Sequence, residues 1–301
     1  MRATFSTLPI SSAAEARVPA WLDRREYPFA SHWLDVPAGL MHYVDEGQGP
    51  PLVLVHGTPD WSFGWRHLIK ALSPRHRCIA ADNLGFGLSD KPPGYSYSPA
   101  EQAANLRRLI ETLGLRDITL VLHDFGGPFG LSYAIEKPDN VRSVVLMNTW
   151  MWSLRGDPHY ERFGRLFGGA LGRFLYLRLG FSVRVIMKHA IADRSRFPRR
   201  IQEQYLRPLG SPAERVATHA YARALLDGGE WYDSLWRRRE RIHDIPALIL
   251  WGMKDLAFRR QELDRLQTVF ARKRTACFHD AGHFPQAERP ERAVTLIEEF
   301  L

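Results

Sequence analysis

Short apolar runs alternate with helical patterns over the first half of the chain. Residues 40–47 alternate between apolar and polar positions, which predicts an edge strand, whereas residues 51–55 (PLVLV) are continuously apolar, which predicts a buried one. Three more apolar runs, at 78–81, 118–122 and 141–147, predict further strands. Because helical patterns separate these runs, we expect an α/β fold with a mostly parallel central sheet flanked by helices.

The alternation of strands and helices stops after residue 149. Residues 150–240 are rich in Arg, Leu and Phe and contain no clear strand run, which indicates a helical insertion. Strand patterns return beyond it, at 247–251 and 275–278. We therefore predict one core made of residues 1–149 and 241–301, with residues 150–240 forming a helical cap over one end of the sheet.

The composition is that of an ordinary folded protein. The chain has 301 residues, of which 45% are hydrophobic and 25% are charged. Cys78 and Cys277 lack the spacing of metal ligands and favour a reduced, cytoplasmic protein. The N-terminus has no charged start followed by an apolar core, and no apolar run could span a bilayer. We therefore expect no signal peptide and no membrane span.

The net charge of +8 lies in the predicted cap. Residues 151–241 contain 18 basic and 9 acidic residues, whereas the rest of the chain contains 23 basic and 24 acidic residues. Nucleic acid, anionic lipid or an anionic substrate could each exploit this excess. A solvated, Arg-rich helical surface explains it without a ligand, and no nucleic-acid-binding motif accompanies it. We favour that explanation and expect no nucleic-acid partner.

Residues 117–136 (DITLVLHDFGGPFGLSYAIE) are the most informative segment of the chain. A buried-strand run leads into His123-Asp124-Phe125-Gly126-Gly127, and a small-residue helical pattern follows. A sharp turn from strand to helix can project a nucleophile into a site, and here the candidate is Asp124. A carboxylate that attacks carbon forms an alkyl ester, which suits the cleavage of carbon–halogen and epoxide bonds. An Asp before Gly is also common in ordinary turns and helix N-caps.

Three other candidate residues follow predicted strands, where ligands bind in open α/β sheets. Thr58 comes after the first buried strand, Asp255 is the last residue of LILWGMKD, and His283 lies in HDAGHF. We predict that His283 is the general base that activates water and that Asp255 orients its imidazole. The backbone N–H groups of Thr58 and Phe125 are the expected oxyanion donors. This chemistry requires neither a metal nor an organic cofactor.

Several of these residues have a second interpretation. His279 lies four residues before His283 and could be the base, although the glycine before His283 suits a tight loop after a strand better. Asp255 could merely cap a helix. His56 is better explained as a structural histidine that bridges two loops than as an acid or a base.

The motifs HGTPDWSFGWR (56–66), DNLGFGLSDKP (82–92), HDFGGP (123–128), WGMKD (251–255) and DAGHF (280–284) resemble signatures of haloalkane dehalogenases. They are also similar to those of other aspartate-nucleophile members of the α/β-hydrolase fold, including epoxide hydrolases. The resemblance extends from about residue 40 to the C-terminus. It implies a hydrolase that uses water and a small apolar substrate and releases a halide ion, with the three residues assigned above as nucleophile, acid and base.

The sequence departs from the dehalogenase pattern where the leaving halide is bound. Phe125 stands where dehalogenases usually carry a Trp, and Thr58 stands where an Asn is usual. Trp61, Trp150 and Trp152 are possible donors instead. We expect an apolar site lined by Phe125, by either Trp150 or Trp152, and by side chains of the cap. The alternatives are epoxide hydrolysis, the processing of a lactone or other strained ester, and a receptor that has lost its chemistry. Epoxide hydrolysis would need cap tyrosines, for which the candidates are Tyr160, Tyr176, Tyr205, Tyr221 and Tyr232.

Overall fold

One eight-stranded sheet runs through the part of the chain that the computed structural model describes, residues 17–301. The first 16 residues of the predicted core lie outside it, as do the residues on which the expectation of no signal peptide rests. The strand order is β1-β2-β4-β3-β5-β6-β7-β8. The strands are β1 (His32–Val36), β2 (Gly39–Glu46), β3 (Pro51–Val55), β4 (Arg77–Ala81), β5 (Ile118–Asp124), β6 (Val141–Thr149), β7 (Ala247–Gly252) and β8 (Lys273–Phe278).

The sheet is parallel from β4 to β8, and β1 and β2 are antiparallel additions to it. The predicted α/β fold with a mostly parallel sheet is therefore confirmed. The prediction that residues 40–47 form an edge strand is wrong, because β2 pairs with β1 on one side and with β4 on the other. The edge strand on this side of the sheet is β1, whose sequence HWLDV has no clear strand pattern.

Helices connect the strands, and most of those between β6 and β7 belong to the helical insertion, by which we mean residues 150–240. The helices before it are α1 (Arg66–Leu72), α2 (Pro99–Thr112) and α3 (Gly126–Glu136). The insertion contains α4 (Pro158–Phe167), α5 (Ala170–Leu179), a π-helical segment (Ser182–Met187), α6 (Lys188–Ala190), α7 (Arg199–Leu206), α8 (Val216–Asp227) and α9 (Gly229–Arg237). After it come α10 (Arg260–Gln267), α11 (Pro285–Glu288) and α12 (Pro290–Glu298).

The continuous apolar runs of the central strands follow from burial on both faces of the sheet. Successive residues of a strand point to opposite faces. In β3, Val53 and Val55 belong to the apolar cluster that includes residues of α2 and α3. Leu52 and Leu54 belong to the cluster that includes residues of α1 and α12. A strand covered on both sides therefore cannot show the alternating pattern of a half-exposed strand.

No helix within residues 17–301 combines the length and the apolarity that crossing a membrane requires.

Candidate active site

Asp124 ends β5 at the point where the chain turns sharply into α3. Its φ is +52°, in the left-handed region that residues other than glycine seldom adopt. Close approach of neighbouring atoms explains two glycines near this turn. A Cβ added to Gly126 would lie 2.0 Å from the carbonyl oxygen of Val55, and one added to Gly57 would lie 1.9 Å from Asp124 Oδ1. The glycines thus allow a strained turn to present the carboxylate against a closely packed loop.

The structure brings Asp124, Asp255 and His283 together. His283 Nε2 lies 3.5 Å from Asp124 Oδ2, and His283 Nδ1 lies 2.8 Å from Asp255 Oδ2. The backbone N–H of Thr58 donates a hydrogen bond of 2.8 Å to Asp124 Oδ1. All three acid and base side chains are buried. The imidazole therefore lies between two carboxylates in a site largely closed to water.

The two carboxylates determine the protonation of this site. Burial alone would lower the pKa of His283, but the charges and hydrogen bonds of Asp255 and Asp124 outweigh it and raise the pKa to about 10. Burial would raise the pKa of Asp124, but the hydrogen bond and positive charge of His283 outweigh it, so the pKa falls below its ordinary value. The resting site therefore holds an ionised Asp124 beside an imidazolium.

Asn148, which our sequence analysis gave no role, fixes the position of Asp255. Its amide nitrogen donates to Asp255 Oδ2 at 2.8 Å and to the carbonyl oxygen of Gly252 at 3.0 Å. Its side-chain oxygen accepts from the N–H of Gly252 at 2.8 Å. The other oxygen, Asp255 Oδ1, accepts from the N–H of Ala257. A polar residue at the buried end of β6, a strand that is otherwise mostly apolar, was the signal available for finding it.

Hydrogen bonds also fix the backbone that carries His283. Its N–H donates to the carbonyl oxygen of Ala190 at 2.9 Å, and its own carbonyl oxygen lies 2.7 Å from His123 Nε2. Burial lowers the pKa of His123 to about 3, so its ring is neutral and donates through Nε2. Glu288 Oε1 accepts from the N–H of Gly282 at 2.9 Å. These contacts tie the histidine loop to the sheet and to the insertion.

A cavity of about 350 Å³ lies beside Asp124 and His283. Its wall is mainly aromatic and aliphatic and includes Phe125, Phe163 and Phe258. Residues of the helical insertion supply more than half of it. No group of three or more His, Cys, Asp or Glu side chains among residues 17–301 is arranged to hold a metal ion. The cavity therefore favours a small apolar organic ligand that is placed against a carboxylate.

A sequence profile described as the alpha/beta hydrolase fold matches residues 50–290. Haloalkane dehalogenase 2 of Mycobacterium tuberculosis is 35% identical over 281 residues, which cover 92% of this chain and 97% of that protein. The chain belongs to the α/β-hydrolase family, in its haloalkane dehalogenase-like branch.

Two further proteins are similar to this chain over most of their length. The cis-3-alkyl-4-alkyloxetan-2-one decarboxylase of Shewanella oneidensis is 30% identical over 282 residues, covering 91% of this chain and 89% of that protein. The crystal structure of haloalkane dehalogenase DatA from Agrobacterium tumefaciens superposes with a TM-score of 0.77 at 26% identity. That superposition covers 89% of this chain and 94% of that one. The similar proteins thus include both haloalkane dehalogenases and an oxetan-2-one decarboxylase.

In this α/β-hydrolase, none of the three candidate tryptophans is part of the cavity wall formed by the described residues. Trp150 packs edge-on against Phe125, with ring centroids 4.8 Å apart, and is fully buried. Trp152 packs against Trp236, and Trp61 lies in the apolar cluster on the other face of the sheet. The expectation that Trp150 or Trp152 lines the cavity is wrong, because packing beyond the end of β6 places both side chains in the core.

Three residues of the cavity wall have hydroxyl groups without a hydrogen-bond partner among the described residues. These groups are Thr58 Oγ1, Ser182 Oγ and the hydroxyl of Tyr221, and each of the three oxygens is buried. The hydroxyl of Tyr160, another wall residue, is already bonded to the carbonyl oxygen of Ala257. Of the other cap tyrosines considered for an epoxide, Tyr176 lines the cavity, whereas Tyr205 and Tyr232 do not.

The remaining histidine candidates lie apart from the reacting groups. His56 Nδ1 donates to the carbonyl oxygen of Gly57, and His56 Nε2 accepts from the N–H of Asn83, so this ring bridges two loops. Burial lowers the pKa of His56, which keeps it neutral. The interpretation of His56 as structural is confirmed. His279 is exposed, whereas His283 reaches Asp124.

Proposed function

We propose that this enzyme hydrolyses carbon–halogen bonds of small haloalkanes through a covalent ester on Asp124. His283 acts as the base, Asp255 orients it, and residues 150–240 act as a cap over the core of residues 1–149 and 241–301. One observation carries the proposal. The carboxylate of Asp124 lies in a covered apolar cavity, 3.5 Å from one imidazole nitrogen of His283, and the other imidazole nitrogen lies 2.8 Å from the carboxylate of Asp255.

The first step is the attack of Asp124 on the carbon that carries the halogen. The carboxylate is ionised at neutral pH because its pKa is lowered, so this step needs no base. The N–H of Thr58 holds Oδ1, and Oδ2, which lies 3.5 Å from His283 Nε2, is the oxygen that attacks. The apolar wall strips water from the nucleophile and places the substrate carbon against it.

The second step is hydrolysis of the ester by water. Esterification removes the negative charge of Asp124, one of the two charges that raise the pKa of His283. The pKa therefore falls, and His283 can lose its proton and then accept one from water. Water attacks the ester carbonyl, and the N–H groups of Thr58 and Phe125 stabilise the oxyanion. Asp255 stabilises the imidazolium that forms.

The departing halide needs hydrogen-bond donors that Phe125 cannot supply. We propose that Thr58 Oγ1 and the hydroxyl of Tyr221 take this role, since both belong to the cavity wall and neither has a partner among the described residues. Tyr221 also packs directly on Phe125, with ring centroids 4.5 Å apart. A hydroxyl can rotate to follow the charge as it develops on the leaving group.

Covalent trapping tests this proposal. His283→Phe should still be alkylated by a bromoalkane, because attack needs no base, but should not hydrolyse the ester. Intact-protein mass spectrometry should then show a gain equal to the alkyl group, and Asp124→Asn in the same background should show none. A gain equal to a whole epoxide, with no alkyl adduct from the bromoalkane, would replace this proposal by epoxide hydrolysis. The absence of any adduct would contradict an enzymatic role for Asp124.

A second candidate function is the processing of strained lactones of the oxetan-2-one type. Relatives from Shewanella oneidensis and Xanthomonas campestris with this activity in their names are 30% and 31% identical to this chain. The observation that favours it is Phe125. Without an N–H donor at this position, a departing halide ion is less well stabilised. When a lactone ring opens, the leaving oxygen remains bonded to the substrate, so no separate ion has to be bound at Phe125.

The two functions are separable in one competition assay. The wild-type enzyme is given a bromoalkane and a cis-3,4-dialkyl-oxetan-2-one of similar chain length, and released bromide and alkene are measured together. Bromide release with the higher kcat/KM supports the first proposal. Alkene formation that exceeds it by tenfold or more would make lactone decarboxylation the principal activity.

A further inference from the structure

The outer surface of α4 and α5 is unusually apolar for a solvent-exposed region. Six large apolar side chains are exposed among the described residues, and four of them lie here: Leu166, Leu171, Phe174 and Leu179. Each is at least half exposed, with Leu171 at 59% and Phe174 at 54%. We call these four residues the α4–α5 face. Such a concentration is typical of a surface that contacts something other than water.

Helix periodicity shows that this exposure is not an accident of a single side chain. Leu171, Phe174 and Arg178 are spaced three and four residues apart, so they form one outward stripe of α5. Tyr176 lies on the opposite side, buried and in the wall of the active-site cavity. In α4, Phe163 and Phe167 line the cavity while Leu166 faces outward. The two helices therefore separate the substrate cavity from the exposed apolar surface.

Exposed cations lie near the α4–α5 face along the chain. Arg165, Arg173, Arg178, Arg184 and Lys188 are all exposed and lie on α4, on α5 or in the segment after α5. Within residues 17–301, none of the five takes part in an ion pair. By contrast, Arg199 and Arg223, elsewhere in the insertion, are paired with neighbouring carboxylates. The positive charge beside the apolar residues is therefore uncompensated.

We propose that the α4–α5 face docks the enzyme onto an anionic membrane surface. Exposed Leu and Phe side chains enter the boundary between headgroups and acyl chains, and the nearby Arg and Lys side chains bind the anionic headgroups. Two observations select a lipid surface as the partner. The unpaired cations complement anionic headgroups, and the four apolar side chains are at least half exposed on two neighbouring helices, so that they can enter the lipid boundary together. The proposal does not depend on which bond the active site cleaves.

Vesicle flotation of the full-length protein tests the proposal. The vesicles contain phosphatidylcholine alone, or phosphatidylcholine and phosphatidylglycerol in equal amounts. We expect the protein to float with the anionic vesicles and to remain behind with the neutral ones. Leu171→Ser with Phe174→Ser, and separately Arg173→Glu with Arg178→Glu, should each reduce binding to the anionic vesicles by about tenfold or more. None of these four residues lines the cavity, so hydrolysis of a water-soluble substrate should be unchanged.

Arg108→Glu with Arg116→Glu is the matched control, because both are exposed cations outside the insertion and their reversal changes the net charge by the same amount as the α5 charge variant. It should bind anionic vesicles nearly as well as the wild type. Failure of the wild type to float with anionic vesicles would overturn the proposal. Equal losses of binding in the control and in the α5 charge variant would also overturn it. So would undiminished binding by the Leu171 and Phe174 variant, since either result means that net charge alone drives binding. Concentration-dependent dimers that the same apolar variant abolishes, without flotation of the wild type, would show that a second copy covers the face.

Discussion

Asp255→Asn separates the two chemical steps of the proposed mechanism. Asp255 Oδ2 accepts from His283 and from Asn148, and Oδ1 accepts from the N–H of Ala257. An asparagine at this position has only one oxygen. If that oxygen accepts from the N–H of Ala257, the NH₂ group of the asparagine takes the place of Oδ2. It then lies against the amide of Asn148 and donates toward His283. The imidazole must then accept at Nδ1 and carry its proton on Nε2, which is the wrong tautomer for a base.

The expected effect is large for ester hydrolysis and small for attack. A wrong tautomer in a buried acid–histidine pair costs about 10⁴ in turnover in the serine protease case. We expect a loss of about 10³–10⁴ here, because the His283–Asp255 contact is similarly short and buried. The attack of Asp124 does not use the imidazole as a base, so its rate should change by less than about tenfold, the factor that corresponds to one unit of pKa.

Rapid-mixing measurements of bromide release distinguish the steps. The variant should release about one equivalent of bromide per active site in a burst and then almost stop, with the alkyl-enzyme visible by mass spectrometry. Asp255→Glu serves as the control that keeps the charge but moves it. Loss of the burst in Asp255→Asn would refute the claim that attack is independent of the acid. A turnover loss of less than tenfold would mean that Asp255 does not set the tautomer.

Four other predictions follow from the same geometry. Asn148→Ala should lower the free energy of unfolding by about 2–4 kcal/mol, since it leaves buried polar groups unpaired, and an unchanged urea midpoint would contradict this. Phe125→Trp should raise the bromide burst rate by about 10–100-fold by adding an N–H donor, and no gain would place the halide elsewhere. Tyr221→Phe and Thr58→Val should each slow the burst by about tenfold or more, and unchanged rates would exclude both hydroxyls as donors. The rate of ester hydrolysis should rise with pH as His283 loses its proton. It should reach its plateau below the pKa of about 10 that His283 has in the free enzyme, because the ester removes one carboxylate charge. A plateau reached only above that pH in single-turnover experiments would refute the loss of that charge.

The buried strands were predictable from the sequence because each is covered on both faces and is therefore continuously apolar. The edge strand β1 was not, because its five residues (HWLDV) mix polar and apolar side chains without a clear strand pattern. The position of β2 was misjudged for a related reason. Its alternating pattern reports one exposed face, and it contains no information about how many neighbours the strand has.

The residues of the proposed triad were predictable because each follows a strand whose carboxyl end lies at the same edge of the sheet. The residues that support them were not. Asn148 and His123 act through contacts across more than a hundred positions of sequence, to Gly252 and to His283. Phe125 was expected in the cavity wall and lies there, but which residues of the insertion line the cavity was not predictable, because aromatic residues in a helical pattern carry no mark that distinguishes packing from lining. Trp150 illustrates this, since it packs behind Phe125 rather than beside the substrate.

The central claim is that Asp124 becomes covalently bonded to the substrate carbon. A single turnover in H₂¹⁸O, with enzyme in excess over bromoalkane, tests it directly in the unmodified enzyme. Water that attacks the ester carbonyl must leave its oxygen in the carboxylate of Asp124, so the peptide that contains Asp124 should gain one ¹⁸O and the alcohol should contain none. An alcohol labelled in the first turnover, beside an unlabelled Asp124, would show that water attacks the substrate carbon itself and would contradict the account.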